Sequence, residues 1–165
     1  MIVGTPLSSL SPAARLWLLG ERLTRALTWL QPLALLGARW YVAAVFFRAG
    51  LTKLRDWDST LALFADEYRV PLLNPVAAAF LGTGAELVLP TLLVLGLFSR
   101  PAAAGLTVLN VVAVISLMDV PDAALMGHVF WGCLLLALLL WGPGSLSLDS
   151  RLLPWLRRRI VGPAG

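Results

Sequence analysis

The sequence predicts an all-α membrane protein. Its four transmembrane helices form a bundle, with an N-terminal amphipathic interfacial helix and a short outer-surface helix between spans one and two. Three observations predict this. Hydrophobic residues make up 59% of the 165-residue chain and charged residues 13%, against roughly 45–50% and 25% in soluble domains. The apolar residues gather into four runs of about 20 residues, enough to cross a bilayer core of about 30 Å as helices. The basic residues, which raise the pI to about 10.2, stand mostly outside those runs. Disorder is excluded, because it needs low hydrophobicity and high charge density. A disulfide scaffold is excluded too, since Cys133 is the only cysteine.

Three segments are expected: an N-terminal cytoplasmic or interfacial stretch (1–32), a four-helix transmembrane domain (33–142) and a basic cytoplasmic tail (143–165). In the first, Leu16, Leu19, Leu23, Leu27 and Leu30 recur at three-and-four spacing, with Arg15, Arg22 and Arg25 on another face. Glu21 stands four residues before Arg25, a pair that supports a helix. This pattern predicts an amphipathic helix in the membrane interface. The spans are placed at 33–52, 75–98, 101–118 and 123–141. Asn74-Pro75 opens the second, Ser99-Arg100-Pro101 marks a tight turn before the third, and Gly142-Pro143-Gly144 stops the fourth. Between spans one and two, Leu61, Phe64 and Tyr68 share one helical face, and Asp58-Ser59 offers an N-cap.

Orientation follows from the asymmetry of Lys and Arg. Arg15, Arg22, Arg25, Arg100, Arg151, Arg157, Arg158 and Arg159 all fall on one side, eight of the 13 basic residues. Both termini are therefore expected in the cytoplasm, and the basic tail reads as a topology anchor rather than a nucleic-acid site.

A charge inside a bilayer costs several kcal/mol and needs a partner or a purpose. Arg39, Arg48, Glu86 and His128 lie within the spans, with Asn110 as an uncharged fifth group. Counting 1.5 Å per residue from the span ends puts Arg39 and Glu86 about 19 and 16 Å deep from the outer side. Asn110 falls near the same level, so an Arg39–Glu86 pair is expected at a deep polar layer. Arg48 and His128 would form a shallower layer, about 6 and 8 Å deep, with Lys53, Asp119 and Asp122 at the outer mouth. These are the candidate ligand-binding residues. Such a pair also fixes helix register without doing chemistry, and His128 and Asn110 also serve as bonds between helices.

Catalytic residues are not identifiable. A thiol oxidoreductase needs two cysteines, and Cys133 reads as a buried inert one. His128 has no spaced partner for zinc, and one histidine cannot supply bis-histidine haem, so no metal or haem is expected. No phosphate loop, nucleophile elbow or dinucleotide fingerprint is present.

Several runs then align with a known family. Arg39…Phe46-Phe47…Gly50-Leu51-Thr52-Lys53, Phe64…Tyr68…Pro71 and Gly84-Ala85-Glu86-Leu87 occur in order. Gly96-Leu97…Arg100-Pro101 and Gly142-Pro143-Gly144…Asp149 follow. Together they resemble the DoxX family of small bacterial membrane proteins over about residues 35–150; Arg48 is an addition to that pattern. The resemblance implies a four-helix bundle in the bacterial cytoplasmic membrane. It also implies a membrane subunit of a redox, stress or detoxification assembly, with quinone as a candidate cofactor.

The leading reading is such an accessory subunit, working with another protein subunit or as a homo-oligomer in the lipid bilayer, and not with nucleic acid. A quinone headgroup accepts hydrogen bonds from donors of this kind. The alternatives are a small carrier or channel for a solute or protons, and a structural anchor for a partner protein.

Overall fold

The computed structural model describes residues 11–117 and 120–162 and is all-helical. In chain order the helices are α1 (Pro12–Arg55), α2 (Trp57–Asp66), α3 (Pro75–Leu95), α4 (Ser99–Ser116), α5 (Asp122–Trp141) and α6 (Asp149–Val161). Four of them, α1, α3, α4 and α5, are long and apolar enough to cross a membrane. Their large outward side chains include Phe80, Val108, Met126 and Leu140, an exposure that water penalises and lipid accepts. The chain is a multi-pass membrane protein.

Each start and stop has a local cause. Ser11 caps α1 through Ala14 N–H, ahead of Pro12, and Asn74 caps α3 in the same way ahead of Pro75. Gly96, in the left-handed region at φ 68°, closes α3 while Leu97 N–H returns to the Leu92 carbonyl at 2.9 Å. That is the Schellman ending, which favours glycine because other residues are strained there. A Cβ at Gly96 would also stand 2.6 Å from Ser147 Cβ.

Two expectations are corrected. The N-terminal amphipathic segment is helical, with Glu21 and Arg25 paired at 3.3 Å. It is not a separate element, however, but the first part of one unbroken 44-residue α1 running through Pro32. The cap of α2 is Asp56 rather than Asp58-Ser59, because Asp56 accepts from both Ser59 N–H and Ser59 Oγ, at 3.0 and 2.6 Å. Those bonds hold the exposed Asp56 carboxyl below its ordinary value. The basic tail is itself largely helical, as α6.

The core is built from Val42 and Phe46 on α1, Leu93 on α3, Ala102, Ala103 and Leu106 on α4, and Leu135 and Leu138 on α5. Buried alanines and glycines let backbones approach closely where lipid supplies no hydrophobic drive. At Gly50 an added Cβ would lie 2.9 Å from Leu87 and 3.0 Å from Glu86 Cβ, so α1 and α3 cross there. A second cluster sets Phe64 of α2 on Ala78 and Ala79 of α3, with Trp57 against Phe80 at 4.7 Å. α2 therefore covers one end of the bundle (the α2 end), and α6 leaves from the other (the tail end).

Arg39 fastens the tail end. It is 2% exposed and donates to four backbone carbonyls: Leu93 and Val94 at the end of α3, and Pro143 and Leu146 beyond α5. Each contact is 2.9–3.0 Å. Its predicted partner, Glu86, is not among them. Gly50 is level with Glu86, and Arg39 lies eleven residues earlier, about 16 Å further toward the tail end. α3 begins well beyond the point where α1 stops, so depths counted from flush ends put the two groups falsely at one level.

Arg39→Met leaves four carbonyls without their donor and is expected to cost about 3 kcal/mol or more. Arg39→Lys keeps the charge without the fork and is expected to recover less than half of that loss. Reversible unfolding in mixed micelles measures both; a loss below about 1 kcal/mol for Arg39→Met contradicts the assigned role.

Candidate functional site

Toward the α2 end the helices enclose a cavity of about 740 Å3. This is within the range of small-molecule sites. Phe46, Phe64, Leu109, Val112 and Trp131 make its walls mostly apolar. Lys53, Tyr68, Glu86, Ser116 and His128 are its polar members. Leu81 on α3 and Val108 and Ile115 on α4 also line it, although each is at least 61% exposed to the outside of the bundle. The cavity thus reaches the bundle surface between α3 and α4.

The acid of the site is neutralised by Lys53, not by Arg39. Lys53 Nζ sits 2.7 Å from both oxygens of Glu86, and both side chains are mostly buried. Gly50 makes this contact possible: it shares a face of α1 with Lys53, three residues on, and brings α1 close enough for the lysine to reach α3. An ammonium has three donors, and the carboxylate occupies two of them.

His128 is held by Asn110. Asn110 Nδ2 donates to the His128 carbonyl at 2.9 Å, which leaves Asn110 Oδ1 as the acceptor 2.8 Å from His128 Nδ1. The bond therefore requires hydrogen on Nδ1, and the neutral ring keeps its acceptor at Nε2. Trp131 packs edge-on against the ring, centroids 5.0 Å apart.

Tyr68 enters from the segment after α2. Its ring stacks on Phe64 at 5.1 Å. Its backbone bridges to Leu117, and Arg69 N–H bonds the Ser116 carbonyl at 2.9 Å. Burial, then the negative charges of Glu86 and Glu67, push the Tyr68 phenol above its ordinary value. Ser116 Oγ, on the cavity lining, is buried without a hydrogen-bond partner.

The expected site is thus regrouped. Glu86, Lys53 and His128 come together around one cavity, and Asn110 holds His128 from behind. Arg39 belongs to the tail end. Arg48 is exposed on α1 and Asp122 is exposed at the start of α5, both off the cavity lining; Asp119 lies outside the described residues. Cys133, expected inside, is exposed on the surface of α5. Among the described residues no three of His, Cys, Asp and Glu gather as metal ligands. Tyr68, Ser116 and Trp131 join the site without having been expected there; Tyr68, expected on one face of the surface helix, instead stands beyond the end of α2 and bridges to Leu117.

The sequence profile of DoxX matches residues 34–119, more than half of the chain. The chain belongs to the DoxX family. Membership accords with the four helices long and apolar enough to cross a membrane. The DoxX match contains Lys53, Tyr68, Glu86 and Asn110 and stops before α5, so His128 comes from outside it. No curated protein and no solved structure matches the chain significantly.

The phenol shift gives a direct check. With Tyr41 replaced by Phe, Tyr68 is the remaining tyrosine, and its ultraviolet titration should lie above pH 10. Glu86→Gln removes one of the charges that raise it, so the midpoint should fall. An unchanged midpoint would separate Tyr68 from the Lys53–Glu86 group.

Proposed function

We propose that this DoxX protein is an integral membrane subunit of a redox or stress-response assembly, and that its cavity receives the headgroup of a membrane quinone. The observation that carries this reading is the cavity itself, apolar in its walls, polar at Lys53, Glu86, Tyr68 and His128, and reaching the lipid-facing surface between α3 and α4. A lipid-soluble ligand can enter such a site without passing through water.

The residues present fit that ligand. Lys53, with a donor left over from Glu86, and the Tyr68 hydroxyl are donors suited to quinone oxygens, and Phe46, Phe64 and Trp131 supply flat apolar surface. A quinone supplies two-electron, two-proton carriage within the bilayer. The protein's part would be to bind and orient it, with Glu86 and the Nε2 of His128 as proton-holding groups beside it. A buried Lys–Glu pair also suits a carrier of protons or a small solute. Lateral access to lipid favours the quinone reading.

The remaining placement belongs to the same proposal. The protein sits in the bacterial inner membrane with both termini in the cytoplasm, a reading supported by four spans and by the basic residues gathered at the tail end. It works with another subunit or as a homo-oligomer. The first part of α1 supports this, because Trp17, Leu23 and Trp29 stand exposed along it.

Titrating a short-chain ubiquinone analogue into the protein in nanodiscs tests the reading. Leu109→Trp, which fills the cavity, and the paired change Lys53→Met with Glu86→Leu should each weaken binding about tenfold or more, the effect of one lost charged hydrogen bond. Circular dichroism should show the helices retained. Undiminished binding in Leu109→Trp refutes the cavity as the site. Solute or proton flux into liposomes that requires Glu86, without quinone binding, would establish the carrier reading instead.

A further inference from the structure

The tail helix α6 has no part in the cavity, yet its pattern is the most sharply divided in the chain. At 100° per residue, Leu152, Leu153, Leu156 and Ile160 fall on one face. Arg151 and Arg158 fall on the opposite face, and Arg157 and Arg159 flank the apolar one on either side. Trp155 lies at the boundary, with the Arg159 guanidinium 5.2 Å from its ring centroid. Leu152 and Leu156 are half-buried, whereas Leu153 and Ile160 are 55% and 79% exposed.

The position of α6 narrows what can cover that face. Asp149, its first residue, accepts from Phe98 and Ser99 N–H at 2.9 and 2.7 Å. α6 is therefore tethered to the turn between two spans, at the edge of the bilayer. Its 13 residues extend about 20 Å, too short to cross a core of about 30 Å. Projecting into water would leave Leu153, Trp155 and Ile160 bare. Lying flat would bury Leu153 and Ile160 among acyl chains, set Trp155 at the headgroup level, and keep the arginines beside the phosphates. Residues 150–165 hold four arginines and no acidic residue. We propose that α6 lies in the plane of the membrane and that Arg151, Arg157, Arg158 and Arg159 bind the surface of anionic phospholipids.

Spin labels on the full-length protein test this. In a Cys133→Ser background, labels are placed at Ile160→Cys or Val161→Cys, and the protein is set in nanodiscs of phosphatidylcholine with or without phosphatidylglycerol. With phosphatidylglycerol, the label at 160 should be reached by oxygen more than by a water-soluble nickel chelate, and the label at 161 the reverse. Replacing Arg157, Arg158 and Arg159 by Gln should reduce the docked-to-free ratio about fivefold per arginine removed. Equal water access at both positions would overturn the proposal. So would shielding of both from oxygen and nickel, which means a protein covers the helix. Docking that ignores both phosphatidylglycerol and the arginines would overturn it as well.

Discussion

The turn between α3 and α4 carries two opposite charges on its two helix ends, and the arrangement of the bundle depends on how they are met. α3 arrives with unpaired carbonyls and the negative end of its dipole; α4 leaves with unpaired N–H groups and the positive end. Arg39 donates to the first set and the Asp149 carboxylate accepts from the second. Both side chains are buried, so each relieves a backbone that lipid would leave unsatisfied. By also holding the carbonyls of Pro143 and Leu146, Arg39 ties α1, α3 and the exit from α5 into one joint.

That joint sets the register of the cavity. With Arg39 at the end of α3, antiparallel packing brings Gly50 against Glu86 and Leu87, and Lys53 then reaches the carboxylate. At the α2 end, the end of α1 and the start of α3 are not level. α1 stops short, and α2 fills the step with Phe64 and, just beyond it, Tyr68. The ion pair, the phenol and the histidine therefore border one space because of a contact some 16 Å away.

The spans, the turns and the surface helix were legible in the sequence, because bilayer thickness dictates length and because proline, glycine and asparagine punctuate the ends. The residues that mattered were also legible, since a charge inside a span needs a reason. Their pairing was not. Arg39 and Glu86 are opposite charges at similar counted depths, and nothing in composition says that α1 and α3 end unevenly. Gly50, three residues before Lys53, was the available sign that this face of α1 approaches a neighbour closely. The role of Asp149 was hidden for another reason. Its partners are backbone N–H groups some fifty residues away, and a backbone group leaves no trace in side-chain chemistry. Likewise, the arginines of α6 carry a topology signal that masks their spacing around a helix.

The span of sequence bridged by Arg39 constrains how the protein is made. Its carbonyl partners Pro143 and Leu146 lie 104 and 107 residues downstream, beyond the last membrane helix. A ribosome delivering the first helix to the bilayer therefore releases a guanidinium whose final ligands have not been synthesised. Once α3 has entered, Leu93 and Val94 can meet half of that group's needs, and the other half waits for the segment after α5. The joint can close only after the segment following α5 has been made, and the same step brings Asp149 to the turn. Biogenesis is then ordered by one side chain, with α1 made before α3, α4 and α5 yet fully secured only after them.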